Sequence, residues 1–342
     1  MRRIVLPLAV LVLLAGAYTV FWFVVAGRAQ DWIAEWAAEA PDKDWHGSFE
    51  TAKVTGYPFD LEVTITAPEV VWRDGDSETV WSGPWLVARY RPWNLNRIAF
   101  ELPQVQEVWI TEGGWRRHLT IATAEAFGDI EIAGGKARRL NAEFRAMVAT
   151  EETLDQQVAA DRLLVIAETT AGGDSHDLFV EAENLTFPAR LPAPFEGKVP
   201  FAAASLSLKG AVPSGGPLRD RLASWRDAGG TLEVLSLKVD WPPLRAEADG
   251  TVALDEALRP LGAFSTAITG YDALLDALVD GGQVARNEAS MAKTVLDVMA
   301  KRDEATGEPR IEVPVTVQNG TLFVGPVPLM PVPPVLPPDL TL

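Results

Sequence analysis

Side chains suited to acid–base or metal chemistry are few and scattered in this chain. The three histidines, His46, His118 and His176, lie far apart and form no pair at the spacing of a metal-binding or catalytic motif. The sequence contains no cysteine, which excludes thiolate nucleophiles, disulfides and cysteine-based metal sites. It also contains no phosphate-binding glycine loop and no nucleophile-elbow motif. We therefore predict that the protein is not an enzyme and that it holds no metal or cofactor.

Carboxylates are abundant but carry little information. The run DGDSE, residues 74–78, has the oxygen-rich composition of a calcium loop without its full ligand spacing, which favours a solvated hairpin turn. Adjacent pairs such as Glu151 and Glu152 are expected by chance in a chain with 47 acidic residues. An anchored hydrolase is the weakest of three hypotheses, after a ligand-binding protein and a structural scaffold. It stays open because only a folded structure shows whether acid–base groups cluster.

The net charge of −17 limits the class of partner. Phosphates would repel such a chain, so we predict no nucleic-acid partner and no adhesion to anionic lipid head groups by charge alone. The acidity is typical of a domain that charge keeps in solution.

Twelve tryptophans are present, and three interpretations of them are open. Tryptophan commonly fills a core, whereas a row of rings along an apolar groove would receive acyl chains or a partner. Stacking on sugars is the third, although no cluster of tryptophans in the sequence supports it. The tryptophans considered are Trp72, Trp81, Trp85, Trp93, Trp109, Trp115 and Trp241.

The N-terminus has the pattern of a membrane anchor. Arg2 and Arg3 precede an uncharged run over residues 4–27, long enough to cross a hydrocarbon core of about 30 Å as a helix. The arginine pair predicts a single-pass orientation with the N-terminus in the cytoplasm and the rest outside. A cleaved signal peptide is the competing interpretation, since Ala15-Gly16-Ala17 resembles a cleavage site. Residues 28–47 are expected to form a short helix and linker, with Trp32, Ile33 and Trp36 at helical spacing.

From about residue 48 the hydrophobic pattern has a period of two, which predicts antiparallel hairpins with one apolar face. Asn319-Gly320 is the strongest hairpin signal, and Gly113-Gly114, Gly134-Gly135 and Gly172-Gly173 mark other turns. Pro314 predicts that its strand is an edge or carries a bulge. The candidate lining residues of the apolar face are Phe59, Leu61, Val63, Ile65, Leu140, Phe144, Val148, Leu244, Val252, Leu254, Ile311, Val313, Val315 and Val317.

Two helical segments interrupt the period of two, near 216–228 and 271–304. We expect both to cover part of the sheet. The tail, residues 325–342, is rich in proline and apolar residues. It is expected either to lie along the body as an extended strap or to serve as a ligand for a partner.

Four stretches carry a family resemblance: TGYPFDLEVTITAPEV, ARYRPWNLNRIAFELP, GTVALDEALRPLGAFSTAI and VQNGTLFVGPVPL. In this order, behind an N-terminal anchor, they resemble domain-of-unknown-function family 2125, a family of Gram-negative envelope proteins. The third stretch is also similar to repeats of AsmA-like envelope proteins. That likeness implies a curved sheet with an apolar concave face, anchored in the inner membrane, and an association with lipid transport and outer-membrane maintenance. No functional residues transfer, and the chain is much shorter than the long lipid bridges.

The expected fold class is mainly β with α (α+β). It comprises an N-terminal transmembrane helix over residues 1–27 and a periplasmic domain over 48–342, built as a long curved antiparallel sheet of hairpins partly covered by the two helical segments. The expected function is non-enzymatic binding of a lipid or another apolar ligand in envelope maintenance, with an envelope protein as a further possible partner. The alternative is a structural scaffold with a closed β core that acts through protein contacts. The two differ in whether the apolar face is filled.

Overall fold

The structure of the protein is a computed structural model. The described residues are 2–38, 45–74, 77–112, 115–170, 173, 175–188, 197–213, 218–282, 284–302, 307–325 and 327–336. Three predicted turns lie wholly or partly outside the described residues. They are Gly113-Gly114, Gly172 of the pair Gly172-Gly173, and residues 75–76 at the centre of DGDSE.

The described chain is mostly β-strand with four helices. The helices are α1 (Arg2–Ala38), α2 (Leu218–Asp227), α3 (Tyr271–Asp280) and α4 (Arg286–Met299). The first strands are β1 (Trp45–Ser48), β2 (Thr51–Thr55), β3 (Leu61–Thr66), β4 (Glu69–Asp74), β5 (Ser77–Ser82), β6 (Trp85–Arg91), β7 (Asn94–Leu102), β8 (Val105–Glu112), β9 (Trp115–Ala122) and β10 (Glu125–Ala133). The remaining strands are β11 (Lys136–Glu151), β12 (Gln156–Thr169), β13 (Ser175–Thr186), β14 (Lys198–Lys209), β15 (Thr231–Trp241), β16 (Leu244–Leu254), β17 (Pro260–Thr269), β18 (Lys301–Arg302), β19 (Pro309–Gln318), β20 (Thr321–Val324) and β21 (Val327–Pro331).

These strands form one large open antiparallel sheet, which confirms the predicted mainly β fold with an antiparallel sheet. From β10 onward nearly every strand pairs with the next one in sequence, so β10 to β17, β19, β20 and β21 are a continuous meander. On the other side of β10 the order continues through β7, β6, β3 and β2. A second branch, β9, β8, β5, β4 and β1, joins at the C-terminal half of β11, where Ala122 pairs with Val148.

The two branches arise because long strands bend in the middle. β3 runs into β4 through Ala67 and Pro68, and β7 runs into β8 through Pro103. Proline has no N–H to donate to a ladder, so regular pairing stops at such positions. Backbone bonds still join the bends: the Ala67 N–H donates to the Pro84 carbonyl at 3.0 Å, and the Thr123 N–H donates to the Gln104 carbonyl at 2.7 Å.

Alternation of apolar and polar residues predicts one strand across residues 53–72, but the structure divides this range between β2, β3 and β4. Strand β2 ends at Thr55, and a turn follows over residues 56–60, with Gly56 at φ 100° and the Asp60 N–H donating to the Gly56 carbonyl at 3.0 Å. Only glycine adopts that φ readily. Phe59 therefore lies in a turn and not on the strand, which corrects its predicted place, and β3 begins at Leu61.

Several local predictions are confirmed. Asn319 and Gly320 have φ of 53° and 68°, and they join β19 to β20 as a two-residue hairpin turn. The Pro314 prediction is met only in part. Pro314 pairs with Ser265 of β17 on one side, and on the other its carbonyl accepts the Gly325 N–H at 2.8 Å, just past the end of β20 at Val324. β19 thus has partners on both sides and is not an edge strand, and its proline lies where the second ladder ends.

The two predicted helical segments are present, the second as α3 and α4 with a break between them. Trp225 of α2 is buried, and its Nε1 donates to the Lys209 carbonyl at 2.8 Å. The tail packs on the body up to residue 336: the Val332 N–H donates to the Gly320 carbonyl at 2.8 Å, and the Val335 N–H to the Leu258 carbonyl at 2.9 Å. Residues 337–342 of the predicted strap lie outside the described residues.

Helix α1 runs unbroken to Ala38, so the short helix expected after residue 28 is its last part. The side chains of Trp32 and Trp36 lie outside the described ones. Within the described part of the chain, no helix combines the length and the apolar character needed to cross a membrane. The C-terminal half of α1 lies against the sheet, where Trp22, Ala26 and Leu61 form a buried cluster.

Candidate apolar ligand-binding site

One face of the sheet is apolar across twelve of its strands. Residues paired directly across strands share a face, so the register traces rows that run perpendicular to the strands. The central row crosses twelve strands and is apolar or glycine in every position except Thr266. Its members are Val63, Ala88, Phe100, Gly128, Ala142, Val165, Val180, Ala204, Leu237, Ala248, Thr266 and Val313.

The rows on either side are apolar as well. The first contains Leu102, Ala126, Phe144, Leu163, Ala182, Ala202, Val239, Ala246, Ile268 and Ile311. The second contains Ile98, Ile130, Leu140, Ala167, Leu178, Leu206, Val234, Gly250, Phe264, Val315 and Val324. At a strand spacing of 4.7–4.9 Å, this apolar face extends for about 50 Å.

The opposite face carries ladders of ion pairs. Arg162 of β12 contacts Glu143 at 3.3 Å and Glu181 at 2.7 Å, each on a neighbouring strand. Burial raises the pKa of the Glu143 carboxyl, but hydrogen bonds from Arg145 and Arg162 outweigh it and lower that pKa overall. This face is therefore hydrated, and the sheet is amphipathic across its width.

Most of the apolar face lacks a complete cover. In the central row only Val63 and Ala142 are buried, Leu237 is exposed, and the other nine are half-buried. In a closed sandwich such central positions are enclosed on both sides. The described residues thus form an open sheet and not the closed β core of the scaffold alternative.

Helix α1 covers one end of the apolar face and leaves a cavity beneath it. Its volume is about 460 Å³. The lining residues are Val25, Ala29 and Ile33 of α1 and Val63, Ile65, Ala88, Tyr90 and Ile98 of the sheet. Apart from the Tyr90 hydroxyl, every lining side chain is apolar. Burial raises the pKa of the Tyr90 phenol, which keeps it neutral. A cavity with this lining suits an acyl chain and not a polar metabolite.

A second hollow of about 470 Å³ lies farther along the same face, at the ends of β11 to β15. Its apolar floor consists of Leu140, Ala167, Leu178, Leu206, Leu208 and Leu232. Arg138, Arg139, Glu168, His176 and Asp177 lie at its border, so this hollow has an apolar floor with charged groups of both signs beside it.

The structure distributes the fourteen predicted lining residues as follows. Leu61, Val63 and Ile65 lie under α1, whereas Phe59 is 69% exposed in its turn. Leu140 and Phe144 belong to the apolar rows, but Val148 lies beyond Ala146, which has a φ of 47°, in the branch that pairs with β9. Val148 pairs there with Ala159 of β12 and Ala122 of β9. The predicted residues on β16 and β19 lie on the apolar face: Leu244, Val252, Leu254, Ile311, Val313, Val315 and Val317. The predicted lining residues on β3, β11, β16 and β19 thus lie on the sheet, but no single pocket contains them all.

Sequence reasoning missed two parts of this site. The first is Val25, Ala29 and Ile33, because the sequence predicts a membrane anchor for the first and a short helix with a linker for the other two, and neither pattern predicts contact with the sheet. The second is the centre of the face on β12 to β14. The run RLLVIAE is apolar at consecutive positions, so its period does not say which residues face which side. Its pairing with Ala142 and Val180 places Val165 on the apolar face.

Side chains suited to metal binding do not cluster among the described residues. Over the residues with a described structure, no three His, Cys, Asp or Glu side chains come together as metal ligands. His118 stacks on Trp109 with ring centroids 3.8 Å apart, and the Arg116 guanidinium lies 4.2 Å from the centroid of the Trp109 ring. Trp72 within β4, Trp93 in the turn after β6 and Trp115 at the start of β9 are exposed, so these three do not fill a core.

The comparisons with known proteins give one match. The model of the family described as "Uncharacterized protein conserved in bacteria (DUF2125)" matches residues 22–333. Neither the curated proteins nor the solved structures contain a match to this chain.

Proposed function

Since the chain belongs to the DUF2125 family of uncharacterized proteins conserved in bacteria, we propose that it is a non-enzymatic protein that binds the acyl chains of a lipid. The binding surface is the apolar face of its open sheet, which an N-terminal helix holds at the inner membrane. It acts in maintenance of the cell envelope.

The observation that carries this proposal is the uncovered apolar face. Three adjacent rows of apolar residues cross the sheet, and the described helices and tail leave most of them partly accessible. Exposed apolar patches of this size are uncommon in proteins that act alone in water. Burial of an acyl chain contributes about 0.8 kcal/mol per methylene, so a short length of the face suffices for binding.

The anchor is part of the same proposal. Residues 4–27 contain no charged residue and follow two arginines. Leu11, Leu13 and Leu14 of α1 are each more than 60% exposed, which suits contact with lipid. The domain after the anchor then lies in the periplasm.

The test is photo-crosslinking at two neighbouring residues on opposite faces of β13. Val180 belongs to the central apolar row, and Phe179 points to the opposite face. Each is replaced in the full chain by p-benzoylphenylalanine, and cells are irradiated before purification. Mass spectrometry then measures lipid adducts. We expect adducts from position 180 and several-fold fewer from position 179.

Adducts at neither position would contradict lipid binding, and equal adducts at both would show non-specific contact. Crosslinks from position 180 to a protein instead of a lipid would favour the interaction scaffold. Circular dichroism of both variants confirms that the sheet is intact.

A further inference from the structure

The turn over residues 56–60 is attached to α1 by several polar contacts. The Tyr18 hydroxyl donates to the Pro58 carbonyl, and Trp22 Nε1 donates to the Asp60 carbonyl at 3.2 Å. The Thr19 hydroxyl lies 2.6 Å from the Tyr57 hydroxyl. The Tyr57 ring packs on Trp22 and Phe23 with centroids 5.5 and 5.9 Å away. This end of the sheet is therefore held at the level of residues 18–23 of the helix.

Large rings at this end are exposed. Tyr57 is 49% exposed, Phe59 69% and Trp93 62%. Trp93 lies in the turn between β6 and β7, next to the first turn, because Leu61 pairs with Tyr90 and both Asp60 and Arg91 border one hollow. Two neighbouring turns thus present aromatic side chains in the same direction along the strands.

The length of the apolar run places these turns relative to a bilayer. A hydrocarbon core of about 30 Å takes about 20 helical residues. If the core begins near Ile4, its outer boundary falls near Phe23. The turns held at residues 18–23 then lie at this boundary, where tyrosine and tryptophan are enriched in membrane proteins.

We propose that Phe59 and Trp93 insert into the outer leaflet of the bilayer that residues 4–27 cross. The occupant of this aromatic surface is the acyl and glycerol region of membrane phospholipid. The inference rests on the anchor proposed above. Insertion of these two residues also specifies where a ligand enters. The cavity lined by Val25, Ala29 and Ile33 begins within one helical turn of the outer boundary of the hydrocarbon core near Phe23.

Exposed aromatic residues also occur at the far end of the sheet, so exposure alone does not support this assignment. Trp115 is 80% exposed at the start of β9, beyond the strand bends and away from α1. The connection to α1 distinguishes the two ends. Trp115 is therefore the matched control.

The experiment uses single-cysteine variants, which need no background substitutions because the chain has no cysteine. Phe59→Cys, Trp93→Cys, Trp115→Cys and Leu13→Cys are each labelled with a nitrobenzoxadiazole fluorophore. The full chain is reconstituted into vesicles of phosphatidylethanolamine and phosphatidylglycerol. Phospholipids with a nitroxide on the acyl chain then quench any label that lies within the bilayer.

We expect strong quenching at positions 13, 59 and 93, and several-fold weaker quenching at position 115. Quenching at 13 without quenching at 59 and 93 would leave the anchor in place and overturn the insertion. Equal quenching at 93 and 115 would also overturn it. No quenching at 13 would contradict the anchor itself and, with it, this inference. Circular dichroism of each labelled variant confirms that the sheet is retained.

Discussion

Leu61 and Phe59 show how two residues of one apolar stretch acquire different roles. Leu61 is fully buried against Trp22 and Ala26 of α1, whereas Phe59 is 69% exposed. The turn at 56–60 separates them, so only the first contributes to the packing of the helix on the sheet.

We predict that Leu61→Ala lowers the free energy of unfolding by about 2–5 kcal/mol, since it removes buried methyl groups and leaves a cavity. Phe59→Ala is the control and should change the free energy by less than about 0.5 kcal/mol. Denaturant unfolding of the full chain in detergent, followed by circular dichroism, measures both. Equal losses for the two variants would contradict the burial of Leu61.

Asp255 organises the loop between β16 and β17. Its carboxylate accepts hydrogen bonds from the Ala257 and Arg259 amides at 2.9 Å and from the Arg259 guanidinium at 2.7 Å. Burial raises the pKa of this carboxyl, but these bonds outweigh it and lower that pKa overall. The same loop carries Leu258, whose carbonyl accepts the Val335 amide of the tail.

A lowered folded-state pKa stabilises the fold above the unfolded pKa of about 3.9, and the contribution disappears as the pH falls through the folded value. We therefore predict that Asp255→Asn is less stable than the wild type at neutral pH and that the difference shrinks below about pH 4. Thermal unfolding of both proteins across this range measures it. Asp249→Asn, at an exposed position on β16, is the control and should have a small effect. A difference that stays constant with pH would contradict the role of the charge.

At the scale of elements, the bends decide how the long strands divide between the two branches. Ala146 lies within β11 at φ 47°, a left-handed conformation that costs a residue with a Cβ about 1–2 kcal/mol. Ala142, four residues earlier, has a regular extended conformation and is buried in the central apolar row.

We predict that Ala146→Gly raises the free energy of unfolding by up to about 1 kcal/mol, because glycine adopts this φ without strain. Ala146→Val should lower it by more than about 1 kcal/mol. Ala142→Gly is the matched control and should lower it, because glycine in a strand interior loses packing and gains unfolded-state entropy. Destabilisation by Ala146→Gly would show that Ala146 is not left-handed.

At the scale of the whole molecule, the sheet separates two surfaces that behave differently toward water. The charged ladders lie on one face, and the apolar rows lie on the other for about 50 Å. Helix α1 covers only one end, so the proposed lipid binding has two separate candidate places: the cavity under α1 and the open face beyond it.

Filling the cavity should separate these two places. We predict that Ala29→Trp decreases lipid adducts from a photoreactive residue at Ile98, which lines the cavity, and leaves adducts from position 180 unchanged. Gln30→Trp, at an exposed position on the same helix, is the control and should change neither. Loss of adducts at both positions would indicate that lipid reaches the open face only through the cavity.

Much of the fold follows from the sequence because its signals are local. Alternation along LRAEADGTVAL predicts the two faces of β16, and the odd positions from Arg245 to Thr251 are indeed the exposed ones. Asn319-Gly320 specifies a hairpin because both residues accept a positive φ. The two helical segments follow from their spacing of apolar residues.

Tertiary structure alone decided what covers the apolar residues. A period of two is the same for an open face and a closed core, so alternation could not show that Val63 lies under α1 while Val180 remains accessible. Pairing between distant strands also chose the face of Val165, in a run where every position is apolar. The sequence by itself therefore determined the elements and their amphipathic character. The contacts of α1 and the register across the sheet determined which apolar residues are enclosed, because both depend on residues far apart in the chain.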